Sequence, residues 1–336
     1  MTLEPGRPRE TNERWNAAEI GVASVAFVIA SAALMTLTHR PSSTLALVAA
    51  GAFFVLVPGG YIALSVGGVR HALRAVVVGL HPTARLLAGP VVLLIAFAAY
   101  AWAAGLTLGT RLGAYGAYLL IPPLLLSSAD AASDRTRPRA PVRELVVALA
   151  LWLPIEWRLL PALPLPAPDG VDMRKLVGLV DAMYLFLVAR PLSGVGYTYR
   201  LTSRDVSTAV LAFLAYAVVA LPIGFATGFI AWRPELDASR VLAAPLVIYL
   251  VTGVPEEFLF RGLLQNLLTR RLGSRAGLVI ASVVFGLAHL PDPRYVLLAA
   301  IAGLAYGWVY QRTERITASA ITHALVDGVW GAVLGG

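Results

Sequence analysis

The chain has 336 residues, 58% of them hydrophobic, and a mean hydropathy of +0.74. No soluble domain of this length needs that much apolar surface, and the absence of Cys excludes disulfides, thiol catalysis and Cys-ligated metal. The net charge of +8 rests on 27 basic residues, all Arg except Lys175; no basic face or aromatic-basic module accompanies them, so nucleic acid is not an expected partner.

Repeated apolar runs near 20 residues, broken by short Arg-bearing loops, predict an all-α, polytopic transmembrane helical bundle in a lipid bilayer. Backbone groups must be satisfied inside lipid, which leaves helices or closed barrels, and continuous rather than alternating apolar runs select helices. In chain order the N-terminal stretch MTLEPGRPRETNERW is polar and of mixed charge, and no cleaved signal peptide is expected. Spans are then predicted near 17–38, 44–67, 86–106, 112–128, 144–163, 175–190, 206–231, 240–270, 276–290, 295–310 and 316–333, about eleven in all. Those near 112–128 and 175–190 are short enough to be tilted or re-entrant. Pro122, Pro123, Pro154 and Pro222 are expected to kink their helices.

The polar, Pro/Arg-rich stretch 127–144 predicts a division between N-terminal accessory helices (1–128) and a helical core (144–336), with the chemistry in 250–330. The Pro-rich 160–170 reads as an extended outer segment, and no sequence repeat is present. With the N-terminus inside, 18 of the basic residues fall in inner segments and 7 in outer ones, leaving Arg158 and Arg261 within spans. That asymmetry predicts a cytoplasmic N-terminus and an outer C-terminus.

Against this apolar background, four ionisable positions in the last third stand out: Glu256 and Glu257 in EEFLFR, His289 in FGLAH, and His323 in HALVD, which ends in Asp327. A titratable group in a membrane span costs several kcal/mol unless paired, and so marks function by default. Side chains four apart share a helix face, which couples Glu257 with Arg261, Phe285 with His289, and His323 with Asp327. Glu256 lies about 100° around from Glu257 and is free to face another helix. At about 1.5 Å per residue, Glu256 lies roughly 22 Å above Arg271, His289 roughly 21 Å above Arg275, and Asp327 roughly 18 Å above Arg315. Three successive helices thus bring acid and base into one depth band. The series Ala299, Gly303, Gly307 between them reads as a close-packing face.

The series EExxxR, FxxxH and HxxxD over 250–330 resembles the CAAX protease and bacteriocin-processing (Abi) family, which includes the type II CAAX prenyl endopeptidases. The resemblance implies that Glu256 and His289 activate a water, that Glu257 and Arg261 form a supporting pair, and that His323 and Asp327 stabilise the transition state. The third motif of that family often ends in Asn, which donates a hydrogen bond. Asp327 donates only when protonated, and otherwise orients His323. The implied activity is an intramembrane endopeptidase of glutamic type, acting on a membrane-anchored protein or peptide in a bacterial inner membrane, without a cofactor. Zinc held by the two His and the acids is the less favoured version, since HExxH is absent. Two other classes fit the buried charges: a catalytically silent scaffold or immunity-type protein, and a proton-coupled transporter. Each residue also has a structural reading. Glu257 with Arg261 is sufficient as a packing ion pair, His289 as an interfacial side chain, and His323 with Asp327 as a self-satisfied pair.

Overall fold

The computed structural model describes residues 43–127, 142–162, 172–233 and 245–335, with a few positions between 16 and 25. The expected span at 17–38 lies almost wholly outside the described residues, as do most of the stretches 127–144 and 160–170. The described chain is all-α apart from one two-residue strand pair, as its apolar runs predict.

The residues fall into two compact units, one ending at Ser193 and one starting at Gly194. The first contains α1 (Thr44–Leu56), α2 (Pro58–Ala63), α3 (Gly67–Val77), α4 (Pro82–Ala103), α5 (Gly109–Ser127), α6 (Val142–Glu156) and α7 (Met173–Met183), which runs on as a π-helical turn, Tyr184–Ala189. The predicted span 44–67 is divided at Pro58, which has no N–H to continue the ladder. Pro122, Pro123 and Pro154 sit inside continuous helices. The short span expected at 175–190 is the buried centre of this unit: every residue from Leu176 to Ala189 is buried. Asp181 lies there, with both carboxylate oxygens lacking a hydrogen-bond partner. The compact boundary at Ser193 is later than the expected one at 128–144, because 142–193 packs with the helices before it.

The second unit contains α8 (Ser203–Ala226), a composite helix α9 over 249–272, α10 (Ser274–Leu287), α11 (Pro293–Thr313) and α12 (Ile316–Val333). The strands are β1 (Ala231–Trp232) and β2 (Leu334–Gly335), paired antiparallel. Helix α8 begins at a capping box formed by Thr202 and Asp205. It turns small residues inward (Ala209, Ala212, Ala220) and branched ones outward (Val206, Leu211, Val218). Such an inside-out pattern suits a helix that packs closely on its neighbours and faces lipid. Among the described residues, three helical stretches are long and apolar enough to cross a membrane: α1 with α2 (Thr44–Ala63), Pro82–Ala103 and Ser203–Ala226.

The helices of this unit alternate in direction, and contacts at their ends fix the order. At one end the Arg315 guanidinium pairs with Asp205 at 3.3 Å. There too Gln311 donates to the Ser274 carbonyl at 2.8 Å, and Thr317 to that of Thr198 at 2.5 Å. Arg270, Arg271, Arg275 and Arg312 lie in the terminal turns at this end. At the other end Arg294 reaches the carbonyls of Thr227 and Gly228, and β1 meets β2. The charge asymmetry predicted for the last five spans is therefore built into one face of this unit.

Candidate active site

The Glu pair sits in a single α-helical turn, Val254–Glu257, between two π-helical stretches, Tyr249–Gly253 and Phe258–Gln265. Pro255 cannot donate into the ladder, so the regular i−4 pattern is interrupted at this point. Wide π turns re-aim side chains, and they are frequent at functional sites. Here they send Glu257 wholly into the protein, with its side chain 0% exposed, while Glu256 stays 20% exposed.

Glu257 is the hub. Its Oε1 accepts from Arg261 Nη1 at 3.0 Å and from His323 Nδ1 at 3.0 Å, and its Oε2 accepts from Ser319 Oγ at 2.5 Å. Arg261 donates in addition from Nη2 to the Gly303 carbonyl at 3.1 Å. Its guanidinium stacks over Phe285 at 4.7 Å from the ring centroid and over Tyr306 at 5.2 Å. The expected ion pair is therefore present and fully buried; Glu257 has further hydrogen-bond partners, whereas the buried Nε of Arg261 has none among the described residues. The close-packing face on α11 does more than pack. A Cβ at Gly303 would lie 3.0 Å from Ser282 Cα, so glycine lets α11 approach α10 while its carbonyl serves Arg261.

A carboxylate only accepts, so His323 Nδ1 carries its proton toward Glu257. That aims Nε2 at two further carboxylates, Asp327 Oδ2 at 3.4 Å and Glu256 Oε2 at 3.8 Å. An imidazole that donates from both nitrogens is an imidazolium, and Nε2 is placed to donate in that form. His289 has the opposite arrangement. Its Nδ1 lies 2.8 Å from the carbonyl of Phe285, which can only accept. In the neutral ring Nε2 is then left as an acceptor, the state a general base needs.

Glu256, Glu257, Arg261, His323 and Asp327 form one connected cluster of α9 and α12 side chains. His289 joins it through aromatic rings rather than through a direct ion pair. Phe285 lies 4.9 Å from the His289 ring and 5.8 Å from that of His323, between centroids. Tyr295 packs edge-on against His289 at 4.5 Å and lies within electrostatic range of Glu256 and Asp327. Among the described residues, no three His, Asp or Glu are grouped so as to hold a metal ion. Ser319, the Gly303 carbonyl and Tyr306 are partners that motif reading misses. Ser319 lies one turn before His323 on the same face, but that spacing does not specify its contact with Glu257 on another helix.

Residues 238–329, which contain every one of these site side chains, match the family described as Type II CAAX prenyl endopeptidase Rce1-like. That match bears out the resemblance drawn from the three motifs. The "Putative membrane peptidase YdiL" of Bacillus subtilis (strain 168) is 29% identical over 93 residues, covering 27% of this chain and 38% of that protein. The "UPF0177 protein YxdF" of Lactococcus lactis subsp. lactis (strain IL1403) is 27% identical over 94 residues, covering 28% of this chain and 51% of that protein. The similarity thus spans about half or less of these relatives' length. No solved structure matches the chain.

Proposed function

We propose, from the family match of residues 238–329 together with the site geometry, that the chain is an intramembrane endopeptidase of glutamic type. The observation that carries the reading is the division of labour between adjacent acids. Glu257 spends both oxygens on Arg261, His323 and Ser319, whereas Glu256 keeps partial exposure beside His323. Glu256, with the Nε2 of His289, takes a proton from a water that attacks the peptide carbonyl. His323 donates from Nε2 to the oxygen as negative charge develops there. The proton passes to the leaving amine, the C–N bond breaks, and no acyl-enzyme forms. Glu257 and Arg261 hold His323 in its tautomer and orientation, as a supporting shell does.

The substrate in this reading is a membrane-anchored protein or peptide. The membrane is proposed to be a bacterial inner membrane, in line with the bacterial relatives. The test is comparative proteomics of membrane fractions from cells carrying the wild type or Glu256→Ala. Uncleaved precursors should accumulate in the variant. Identical membrane proteomes would remove the peptidase reading and leave the silent scaffold.

The cleavage chemistry is read as metal-free. Active purified protein is expected to keep its turnover through prolonged chelation. Loss on chelation, with recovery on zinc alone, would transfer water activation to a metal.

The Arg-rich end of the second unit is proposed to be cytoplasmic, with the N-terminus on the same side. Reporter fusions near Gly273 should then give a cytoplasmic signal and those at Gly336 an exported one. A cytoplasmic signal at Gly336 would reverse the orientation and make a cytosolic, prenylated CAAX-type substrate the first choice.

A further inference from the structure

Asp327 is a carboxylate at the point where an oxyanion needs donors. Ionised, it only accepts, and it repels developing negative charge. His323 Nε2 supplies a donor, but it stands between Glu256 and Asp327 and is shared by them. A second donor is therefore needed if the site is to stabilise an oxyanion well.

The register of α11 against α12 supplies one. The two helices are antiparallel and joined by Glu314 and Arg315 alone. Ser319 Oγ, whose proton is spent on Glu257, lies 2.8 Å from the Tyr306 carbonyl oxygen, which puts the backbone of Tyr306 level with Ser319. Helical side chains lean toward the N-terminus of their own helix. For Tyr306 that direction runs along α12 from Ser319 toward its C-terminus. The Tyr306 ring stacks on His323, one turn further on, with centroids 4.7 Å apart and planes within 16°. The next turn carries Asp327, and the Tyr306 phenol stands in the electrostatic field of that carboxylate. Tyr306 is only 1% exposed, so its ring is held in place. The Arg261 guanidinium, 5.2 Å from the ring centroid, and the stacked imidazole hold the ring. On α8, Tyr216 also lies within electrostatic range of Asp327.

We propose that Tyr306 is a catalytic residue of this site, its phenol donating a hydrogen bond to the peptide oxyanion beside His323 Nε2 and so supplying the donor that Asp327 lacks. This rests on the endopeptidase reading. When water attacks, the carbonyl π pair moves onto oxygen. The phenol keeps its proton and its hydrogen bond shortens. The water proton goes to Glu256 or His289 and then to the leaving amine. Tyr306 neither gains nor loses an atom.

The probe is a fluorescence-quenched peptide library, reconstituted with full-length protein in phospholipid vesicles. Tyr306→Phe keeps the ring stack and loses only the hydroxyl. It is expected to lower kcat about 10²-fold, the typical effect of removing one oxyanion donor, with KM and thermal midpoint nearly unchanged. Asp327→Asn provides the second arm. Asn presents an N–H at the carboxylate position, so the penalty for Tyr306→Phe should shrink in the Asp327→Asn background. A purely structural tyrosine would show no such dependence. Tyr306→Phe turnover within twofold of wild type would overturn the proposal, and so would an equal penalty in both backgrounds. If wild type and Glu256→Gln are equally inert on every peptide, the endopeptidase reading itself falls and Tyr306 loses its role with it.

Discussion

Glu256→Gln is expected to abolish cleavage while leaving membrane insertion and thermal stability close to those of the wild type. Gln matches Glu in shape and size, so the turn at Val254–Glu257 has no reason to change. What is lost is an acceptor that can take a full proton. Positioned general bases contribute about 10²- to 10⁴-fold, and Glu256 is the more accessible of the paired acids. Glu257 is the acid tied to Arg261, His323 and Ser319, and Gln at 256 keeps the size and hydrogen-bonding capacity of Glu, so stability should change little. A turnover above one tenth of wild type would remove Glu256 from the mechanism and pass the proton to His289 alone.

The candidate site of this chain is legible in its sequence because lipid makes polarity expensive. Every site residue proposed from the motifs is an ionisable side chain in an apolar run, and a spacing of four places Glu257 with Arg261 and His323 with Asp327 as the coordinates do. The π turns on either side of Glu256 were not legible. They depend on how Pro255 and the neighbouring helices share hydrogen bonds, which local propensity does not encode. Contacts set by the register of one helix against another were equally hidden. Ser319 on Glu257, Arg261 on the Gly303 carbonyl and Tyr306 on His323 each join residues on different helices. No spacing within one helix specifies them. The compact units of the fold divide at a different point, after Ser193. The polar stretch at 127–144 looks like a boundary by composition, but α6 and α7 bury their apolar faces against the helices before it.

Glu257→Ala and Arg261→Ala should each lower folded yield sharply, and the double variant should lose less than the sum of the two. The guanidinium is 1% exposed and the carboxylate 0%, so either single change strands a charge where no water reaches it. Breaking a buried pair from one side costs about 3–5 kcal/mol, while removing both partners avoids the unpaired charge. The two singles are not equivalent. Arg261→Ala leaves Glu257 with His323 and Ser319, so part of its charge remains satisfied. Glu257→Ala leaves Arg261 with the Gly303 carbonyl and the faces of Phe285 and Tyr306, and it also releases His323 from its tautomer. Whatever fraction of Glu257→Ala still folds should therefore lose turnover as well, whereas the folded fraction of Arg261→Ala should retain more. Folded yield and turnover per folded molecule, measured across the four proteins of the cycle, separate the two effects. Strict additivity in stability would mean that the carboxylate and guanidinium do not share their charge, and that Glu257 is held by His323 and Ser319 alone.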